Sequence, residues 1–378
     1  MSREGEKTAP SSRVNFKYFE SKANEIDLSK KVEAERKKLL SVPVMQLDLK
    51  KATSIRELVT AWAKTSIQSR SVSECAQVYE NMISDKDRPT IFMGLSGALI
   101  AGGMRRVIRD LVEAGFIDVL VSTGAIVYQD LYQALGYKHY MGTPKADDAV
   151  LHDLYIDRIY DAYVDEVGFV KTDDVVGELA ASLPPRKYST REFMRELGMR
   201  AASDPDSIIG TAAKRGVPIF VPAIADSSIG IGLAGLYRAA KKAHEELSQL
   251  DTIQDNFEIA QIVLKSKKTA SIYIGGGVPK NYINDAAVML DYTPGHSYAF
   301  QITTDAPHWG GLTGSTLDEA KSWGKIAKKA TRATAYVEAT IGLPLVAGYV
   351  LESEDLVKGR SRLDFVWNGD QLKQIRIK

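Results

Sequence analysis

The chain has 378 residues, with 44% hydrophobic and 26% charged side chains, a balance that is typical of a globular protein with a sizeable core. Its 49 lysines and arginines against 48 aspartates and glutamates leave a net charge of +1, which excludes an overall field that would draw it onto nucleic acid or a membrane. A single cysteine, Cys75, excludes an internal disulfide framework and a zinc cluster built from several cysteines, and it suits a reducing cytoplasm.

The chain begins with polar residues and contains no run of about 18 apolar ones, so we expect a cytoplasmic protein without a membrane-spanning segment. Residues 1–50 are predicted to form an N-terminal arm with a helix, and residues 51–378 a single α/β domain. Charged runs and apolar residues at helical spacing predict three helices in this first part of the chain: Ser29–Leu40, Ser54–Thr65 and Val72–Ile83.

A strand, a turn of small residues and a helix follow in the order that nucleotide-binding units use. The strand is predicted over Thr90–Met93 and the helix over Leu99–Ala114, and the next strand, Val119–Val121, ends in Ser122 and Thr123. Small residues before a helix allow an anion to approach backbone N–H groups and the positive helix end. Because the glycines do not follow G-x-G-x-x-G, the pattern leaves a cofactor site and a tight structural turn equally open.

The spacing of this β-α-β unit predicts parallel strands with ligands at their carboxyl ends. Further strands are predicted over Val217–Val221, Ala270–Ile274, Ser297–Asp305 and Thr334–Thr340. Asp226 follows the first of them and is a candidate for binding ribose hydroxyls, or alternatively a cap for the next turn. Three glycines, Gly275–Gly277, follow the second, where close approach of a ligand would explain their backbone cost.

Polar residues also end the last two predicted strands. Thr304 lies at the end of the first of them, and Glu338 lies at the carboxyl end of the second. Between these strands, Ser322-Trp323-Gly324-Lys325-Ile326 follows a glycine-rich loop. A lysine attacks carbonyls and imines only when it is neutral, and apolar burial beside an indole favours the neutral amine. The alternative, which the residue pattern alone favours, is an amphipathic helix with Lys325 in solvent and Trp323 in the core.

Other parts of the chain give weaker indications. Three tyrosines between the second and third strands, Tyr155, Tyr160 and Tyr163, are interpreted as packing residues. No metal site is predicted, because the histidines lack zinc-ligand spacing with a carboxylate. The basic C-terminal tail after Val357 is compatible with an edge hairpin or a contact with a partner.

The segment around Lys325, preceded by Asp318 and Glu319, is similar to a motif of deoxyhypusine synthase and its homologues. Further segments occur in the order of that family and extend the resemblance from about residue 50 to the C-terminus: Met93–Ser96, Asp118–Thr123, Pro222-Ala223 with Asp226, and Gly275–Val278. The resemblance implies an α/β fold with a Rossmann-like parallel sheet, helices on both of its faces and an N-terminal helical arm.

The resemblance also implies an activity. In this family NAD accepts a hydride from the carbon beside the secondary amine of spermidine, diaminopropane leaves, and the butylimine passes to a lysine. An acceptor amine then displaces the lysine, and the stored hydride reduces the new imine. The chain would thus be an NAD-dependent transferase of aminobutyl groups, and the implied assembly is a homotetramer with shared sites.

Residue by residue, the resemblance makes Lys325 the catalytic lysine. It makes Glu319 the ligand of a terminal ammonium and Trp323 the wall for the methylene chain, and it places Asn281 and His308 near the substrate. The implied cofactor contacts are Gly97, Ala98, Ser122, Thr123, Asp226, Gly276, Thr304, Glu338 and Ala339.

The chain departs from the family where acidic residues are expected. Gln129 replaces a glutamate, Ile231, Trp309 and Leu312 replace aspartates, and Asn281 replaces a histidine. Each lost carboxylate removes a charge-assisted bond to a polycation, worth about 1.5–3 kcal/mol. We therefore expect a changed donor or acceptor, with a small amine as acceptor, as in homospermidine synthesis. Modification of a translation-factor lysine, as in true deoxyhypusine synthases, is the alternative, and a non-catalytic NAD- or polyamine-binding regulator is a third hypothesis.

Overall fold

Six parallel strands form the central sheet in a computed structural model that describes residues 18–26 and 29–378. We number them along the chain as β1 Thr90–Leu95, β2 Val119–Ser122, β3 Ile219–Phe220, β4 Thr269–Ile274, β5 His296–Ile302 and β6 Ile326–Ala335. Their order across the sheet is β6-β5-β4-β1-β2-β3, and helices flank the sheet. The predicted α/β class with a Rossmann-like parallel sheet is confirmed.

The order of the strands reverses next to β1. The chain passes from β1 through β2 to β3 on one side, and then continues on the other side from β4 through β5 to β6. In open parallel sheets, ligands bind in the crevice at the carboxyl ends of the strands where the order reverses. The turns after β1 and β4 therefore form the expected site.

The two central strands are buried along their whole length. Successive side chains of a strand point to opposite faces, and in β1 Ile91 and Met93 join the larger apolar cluster, while Phe92 joins the smaller one. Burial on both faces requires a nearly continuous apolar run. The run from Thr90 to Leu95 meets that requirement.

The helices of residues 46–378 cover the sheet and support its loops. They are Ile55–Trp62, Ile67–Ser84, Arg105–Glu113, Gly124–Ala134, Asp148–Asp153, Glu166–Ser182, Thr190–Arg200, Ile208–Arg215, Ser228–Ala243, Thr252–Lys265, Gly277–Ala286, Glu319–Ser322, Ala339–Leu351 and Glu354–Gly359, with short 3₁₀ turns at Leu49–Lys51 and Pro307–Trp309. Among these residues no helix is long and apolar enough to cross a membrane.

Three small sheets complete this part of the chain. An antiparallel sheet joins Tyr140–Met141, Ala162–Asp165 and Ile156–Ile159, in that order. A parallel pair joins Lys187–Tyr188 to Gln249–Leu250. The C-terminal tail forms an antiparallel hairpin of Leu363–Asn368 and Gln371–Ile377, in agreement with one of the two interpretations of its sequence.

The chain divides into two compact units, residues 1–45 and residues 46–378. In the first unit the described residues form the helices Tyr18–Asn24 and Lys30–Leu39, and the side chains of the second helix are exposed. Residues 1–17 of the predicted arm lie outside the described residues.

Two predicted elements near the site have wrong bounds. The helix expected from Leu99 begins at Arg105, because residues 99–103 form turns and Gly103 has a φ of +81°. The last strand, expected over Thr334–Thr340, is β6 and ends at Ala335. Lysines within β6 hid its apolar alternation, and a helix already begins at Ala339.

A buried ion cluster fixes the C-terminal segment to β1 and β2. Asp118 bonds to both Arg88 (2.7 Å) and Arg360 (3.3 Å), and it also accepts from the backbone N–H of Ile91 at 2.9 Å. The side chains of Arg88, Arg360 and Asp118 are 8%, 1% and 3% exposed. Burial lowers the pKa of Arg360 to about 10, although the charge of Asp118 acts in the opposite direction.

Candidate functional site

A cavity of about 570 Å³ opens at the carboxyl ends of β1, β4 and β5. Six of the predicted cofactor residues line it: Gly97, Ala98, Gly276, Thr304, Glu338 and Ala339. They come from the turns after β1, β4 and β5 and from the start of the helix Ala339–Leu351. The strand order thus brings together residues that are up to 242 positions apart in the sequence.

The other three predicted cofactor residues lie outside the lining of this cavity. Ser122 is buried at the end of β2, where its hydroxyl donates to the carbonyl oxygen of Thr123. Thr123 precedes the helix Gly124–Ala134, and Asp226 is exposed in the turn after β3. These residues share the carboxyl edge of the sheet with the cavity but belong to its β2 and β3 side.

Glu338 is positioned by the helix that follows it. It is the N-cap of Ala339–Leu351, and its carboxylate accepts from the backbone N–H of Thr340 at 2.8 Å. A carboxylate at a helix N-terminus is stabilised by the helix dipole. Glu338 thus presents carboxylate oxygens on the cavity wall, where they are suited to accept hydrogen bonds from hydroxyl groups.

The glycine run after β4 serves close packing within the protein. The N–H of Gly276 donates to the hydroxyl of Ser96 (2.8 Å), and that of Gly277 donates to the hydroxyl of Thr313 (3.0 Å). A Cβ on Gly276 would lie 2.6 Å from the methyl group of Thr313, and one on Gly275 would lie 2.4 Å from the Ser96 hydroxyl. The sequence predicts that a ligand approaches the glycine run closely, but Ser96 and Thr313 of the protein itself make such close contacts there.

Lys280 holds the loop 303–318 against the glycine run. Its Nζ donates to the side-chain oxygen of Gln301 (3.0 Å) and to the carbonyl oxygens of Thr313 (3.1 Å) and Ser315 (2.5 Å). The residue is 1% exposed. Three acceptors match the three donors of an ammonium. Burial lowers the pKa of Lys280 to about 8, while the charges of Glu319 and Asp305 act in the opposite direction.

The lowered pKa of Lys280 predicts a pH-dependent contribution to stability. Between pH 8 and the ordinary lysine value of 10.5, the unfolded chain binds more protons at this residue than the folded chain does. The contribution of Lys280 to the free energy of unfolding should therefore rise with pH through this window, by about 3 kcal/mol in total. Urea unfolding of the unaltered protein and of Lys280→Met at several pH values would measure the difference.

The matched control is Lys214→Met, which removes an exposed lysine. It should keep the pH dependence of the unaltered protein, whereas Lys280→Met should lose this part of it. Equal pH profiles for Lys280→Met and the unaltered protein would contradict the prediction.

Lys325 belongs to a ring of three hydrogen-bonded side chains. Its Nζ lies 2.7 Å from Oδ1 of Asp285 and 3.2 Å from Oδ1 of Asn281, and the amide nitrogen of Asn281 donates to Oδ2 of Asp285 at 2.7 Å. Asn281 and Asp285 are four residues apart on the helix Gly277–Ala286 and thus share one of its faces. The Lys325 side chain is 15% exposed.

Both sequence interpretations of the Lys325 segment need correction. The amphipathic helix is wrong, because the helix ends at Ser322, Trp323 is 66% exposed and Lys325 is mostly buried. The expectation of apolar surroundings is wrong as well, because a carboxylate faces the ammonium. The indole of Trp323 does lie beside Lys325, with Nζ 5.3 Å from the ring centroid.

The remaining predicted substrate residues lie on exposed segments. Glu319 begins the short helix Glu319–Ser322 and is near enough for its charge to act on Lys280. His308 packs against Trp309, with ring centroids 4.4 Å apart, in the turn Pro307–Trp309. Among the described residues, no hydrogen bond joins His308 to Lys325. The structure thus brings Asn281 and Trp323 next to Lys325.

Sequence reasoning missed several residues of the site. Asp285 and Lys280 lie on the helix Gly277–Ala286, which follows the glycine run. The signal that could have found them is the presence of charged residues within an otherwise apolar helical pattern. Tyr160 is 72% exposed and lines the cavity together with Asp161, so its interpretation as a packing residue is wrong. Its φ of +55° marks a tight turn that the sequence alone did not reveal.

Comparison with known proteins identifies the family. The family model described as deoxyhypusine synthase matches residues 57–350. The chain belongs to the deoxyhypusine synthase family. Membership implies an aminobutyl transferase, and the resemblance predicted from the sequence motifs is confirmed.

Several members of the deoxyhypusine synthase family resemble the chain over most of its length. "Probable deoxyhypusine synthase 2" of Methanosarcina acetivorans is 44% identical over 337 residues, which cover 87% of this chain and 95% of the relative. "Deoxyhypusine synthase-like protein" of Elusimicrobium minutum is 38% identical over 338 residues, which cover 86% of this chain and 89% of the relative.

A solved structure supports the fold. A crystal structure reported under the name of a deoxyhypusine synthase, from Entamoeba histolytica, has a TM-score of 0.56 and 20% sequence identity. The match covers 81% of this chain and 96% of the other. The deoxyhypusine synthase family thus accounts for both the sequence motifs and the parallel sheet.

Proposed function

We propose that the protein is an NAD-dependent transferase that forms an imine on Lys325 from a polyamine and passes the butyl group to a small acceptor amine, as in homospermidine synthesis. The placement of Lys325 is the observation that carries this proposal. Its side chain is mostly buried, lies beside an indole, and is held by two polar side chains rather than extended into solvent. Family membership supplies the reaction class.

The cavity beside β1 and β4 suits a dinucleotide. Its volume of about 570 Å³ lies within the usual range for cofactor pockets, and Gly97, with a φ of +90° and no atom within 4 Å of a built Cβ, leaves room for a close backbone approach. Glu338 presents the acceptor oxygens that ribose hydroxyls require. NAD bound there would supply the hydride acceptor and return the hydride at the end of the reaction.

Lys325 supplies the covalent step. As a neutral amine its Nζ attacks the carbon of the substrate imine, the bond from that carbon to the departing diamine breaks, and the diamine leaves with a proton. The acceptor amine then attacks the imine on Lys325 in the same way and restores the free lysine. The glycine-run helix Gly277–Ala286 connects the two parts of the site, because it begins at the cavity and carries Asn281 and Asp285 beside Lys325.

The choice of a small acceptor is supported by the residues that replace family acids. The side chains of Trp309, Leu312 and Ile231 are 73%, 44% and 63% exposed, and none carries a carboxylate that could form a salt bridge with an ammonium. Each missing carboxylate weakens polycation binding by about 1.5–3 kcal/mol. The names of the relatives from Methanosarcina favour the second candidate, modification of a protein lysine.

We also propose a homotetramer in the cytoplasm, following the family. Exposed apolar residues close to the site in sequence support burial against a second copy, since large apolar side chains rarely remain in solvent together. Trp309 and Leu312 are the residues concerned.

Borohydride trapping tests the proposed function. The protein is incubated with NAD and spermidine, reduced with borohydride, digested and analysed by mass spectrometry. We expect an aminobutyl adduct on Lys325 that requires NAD, because reduction converts the imine into a stable secondary amine. Lys325→Arg, which keeps the charge but cannot form the imine, is the control.

Acceptors added one at a time then separate the candidate functions. A small diamine that, when added before the borohydride, prevents labelling of Lys325 and is recovered as a triamine supports the proposal. Transfer only to a protein lysine favours the second candidate. No adduct with any amine would leave a non-catalytic binder as the explanation.

A further inference from the structure

Asp285 is the carboxylate that contacts Lys325 within the part of the chain that the structure describes. Its Oδ1 lies 2.7 Å from Nζ, and Asn281 bonds to both side chains. Asp285 is more accessible than the lysine it holds, with 37% of its side chain exposed against 15%. An incoming cation can therefore reach the carboxylate from solvent.

We propose that Asp285 holds Lys325 as an ammonium in an ion pair until a cationic alkylamine displaces the lysine from the carboxylate. Binding of the substrate would thus release the lysine that attacks it. The inference rests on the proposed function and adds a recognition group to it. Asp285 would bind the primary ammonium of the amine, and the exposed indole of Trp323 would lie along its alkyl chain.

The step balances in protons. At rest, one carboxylate pairs with the ammonium of Lys325. When a second ammonium takes that carboxylate, two cations lie close together with one anion, and a like charge nearby disfavours the charged form. Lys325 then releases its proton to bulk water and becomes the neutral amine that attack on an imine requires.

Of the other charged groups on these two segments, Lys280 and Asp318 are bonded to other partners, and Glu319 acts on Lys280 through its charge. Lys280, on the same helix, donates to the carbonyl oxygens of Thr313 and Ser315. Asp318, on the segment before Lys325, pairs with Lys321 at 3.0 Å and with Arg332 at 2.5 Å. Glu319, the remaining acid of this segment, has its charge near Lys280. Asp285 is thus the group for which Lys325 and an incoming ammonium compete.

Calorimetry of amine binding tests this competition without any chemistry. The full-length protein is titrated with 1,4-diaminobutane, without NAD, in buffers with different enthalpies of protonation. We expect proton release on binding, with the number of protons released per amine molecule bound approaching one. Asp285→Asn keeps the shape of the side chain but removes the charge, so it should bind the amine weakly and release no proton.

Two further variants complete the test. Lys325→Met removes the competing ammonium and should bind the diamine about two- to fivefold more tightly, again without proton release. Glu354→Gln removes a carboxylate from an exposed pair with Lys358 and should behave as the unaltered protein.

The possible failures can be told apart. Weaker binding by Lys325→Met, equal proton release by Asp285→Asn, or no binding of the diamine by the unaltered protein would each overturn the inference. A different observation would contradict the proposed function: no borohydride adduct on Lys325 in the presence of NAD. An adduct together with proton release that does not depend on Asp285 would reject the inference alone.

Discussion

Lys325→Arg should lower the rate of amine transfer by on the order of 10³-fold or more, with an unchanged free energy of unfolding. Arginine keeps a positive charge that can pair with Asp285, but its guanidinium does not lose a proton near neutral pH and so cannot form the imine. Lys325→Ala should be equally inactive. Product formation from spermidine and a diamine, followed by chromatography, measures the effect.

A distant lysine provides the control for this substitution. Lys358 is exposed and pairs with Glu354 at 2.5 Å, so Lys358→Arg makes the same chemical change on the surface. It should leave the rate unchanged. A Lys325→Arg enzyme that works within a few fold of the unaltered protein would mean that the reaction does not pass through this lysine.

Asp118→Asn should lower the free energy of unfolding by about 3–5 kcal/mol, the usual effect of removing one partner from a buried ion pair. Asparagine preserves the shape of the side chain, but Arg88 and Arg360 would then remain buried without a counter-ion. The backbone N–H of Ile91, near the start of β1, would also lose its charged acceptor. Urea unfolding followed by circular dichroism measures the change.

The same substitution in an exposed pair is the control. Asp148 bonds to Arg158 at 2.6 Å, with 63% of the aspartate side chain exposed. Solvent screens such pairs, so Asp148→Asn should have far less effect than Asp118→Asn. Equal losses for the two variants would show that burial does not control the strength of the Asp118 cluster.

The sequence predicted the parts of the fold that local patterns determine. The buried apolar runs gave β1, β2 and β4 within a few residues, and the small residues after β1 and β4 located the edge at which the cavity lies. Gly97, Gly276 and Glu338, which the family motifs imply as cofactor contacts, lie on the wall of this cavity. Each of these runs is short and local in the sequence, whereas their meeting at one cavity depends on the order of the strands.

The parts that sequence reasoning missed depend on contacts between distant segments. Asp285 meets Lys325 across 40 positions, and only the packing of the helix Gly277–Ala286 beside the start of β6 brings them together. The bounds of β6 were missed because exposed lysines interrupt its apolar pattern. Tyr160 reaches the cavity through a turn whose positive φ has no marker in the sequence.

The position of β6 has a consequence for aggregation. Among residues 18–26 and 29–378, β5 is the one strand paired with β6, so the other edge of β6 has backbone groups that no described strand pairs. Lys328 and Lys329 are exposed on this strand, and such charges discourage intermolecular strand pairing. Because Lys325 directly precedes β6, charges that prevent strand pairing here also keep this proposed nucleophile out of non-native assemblies.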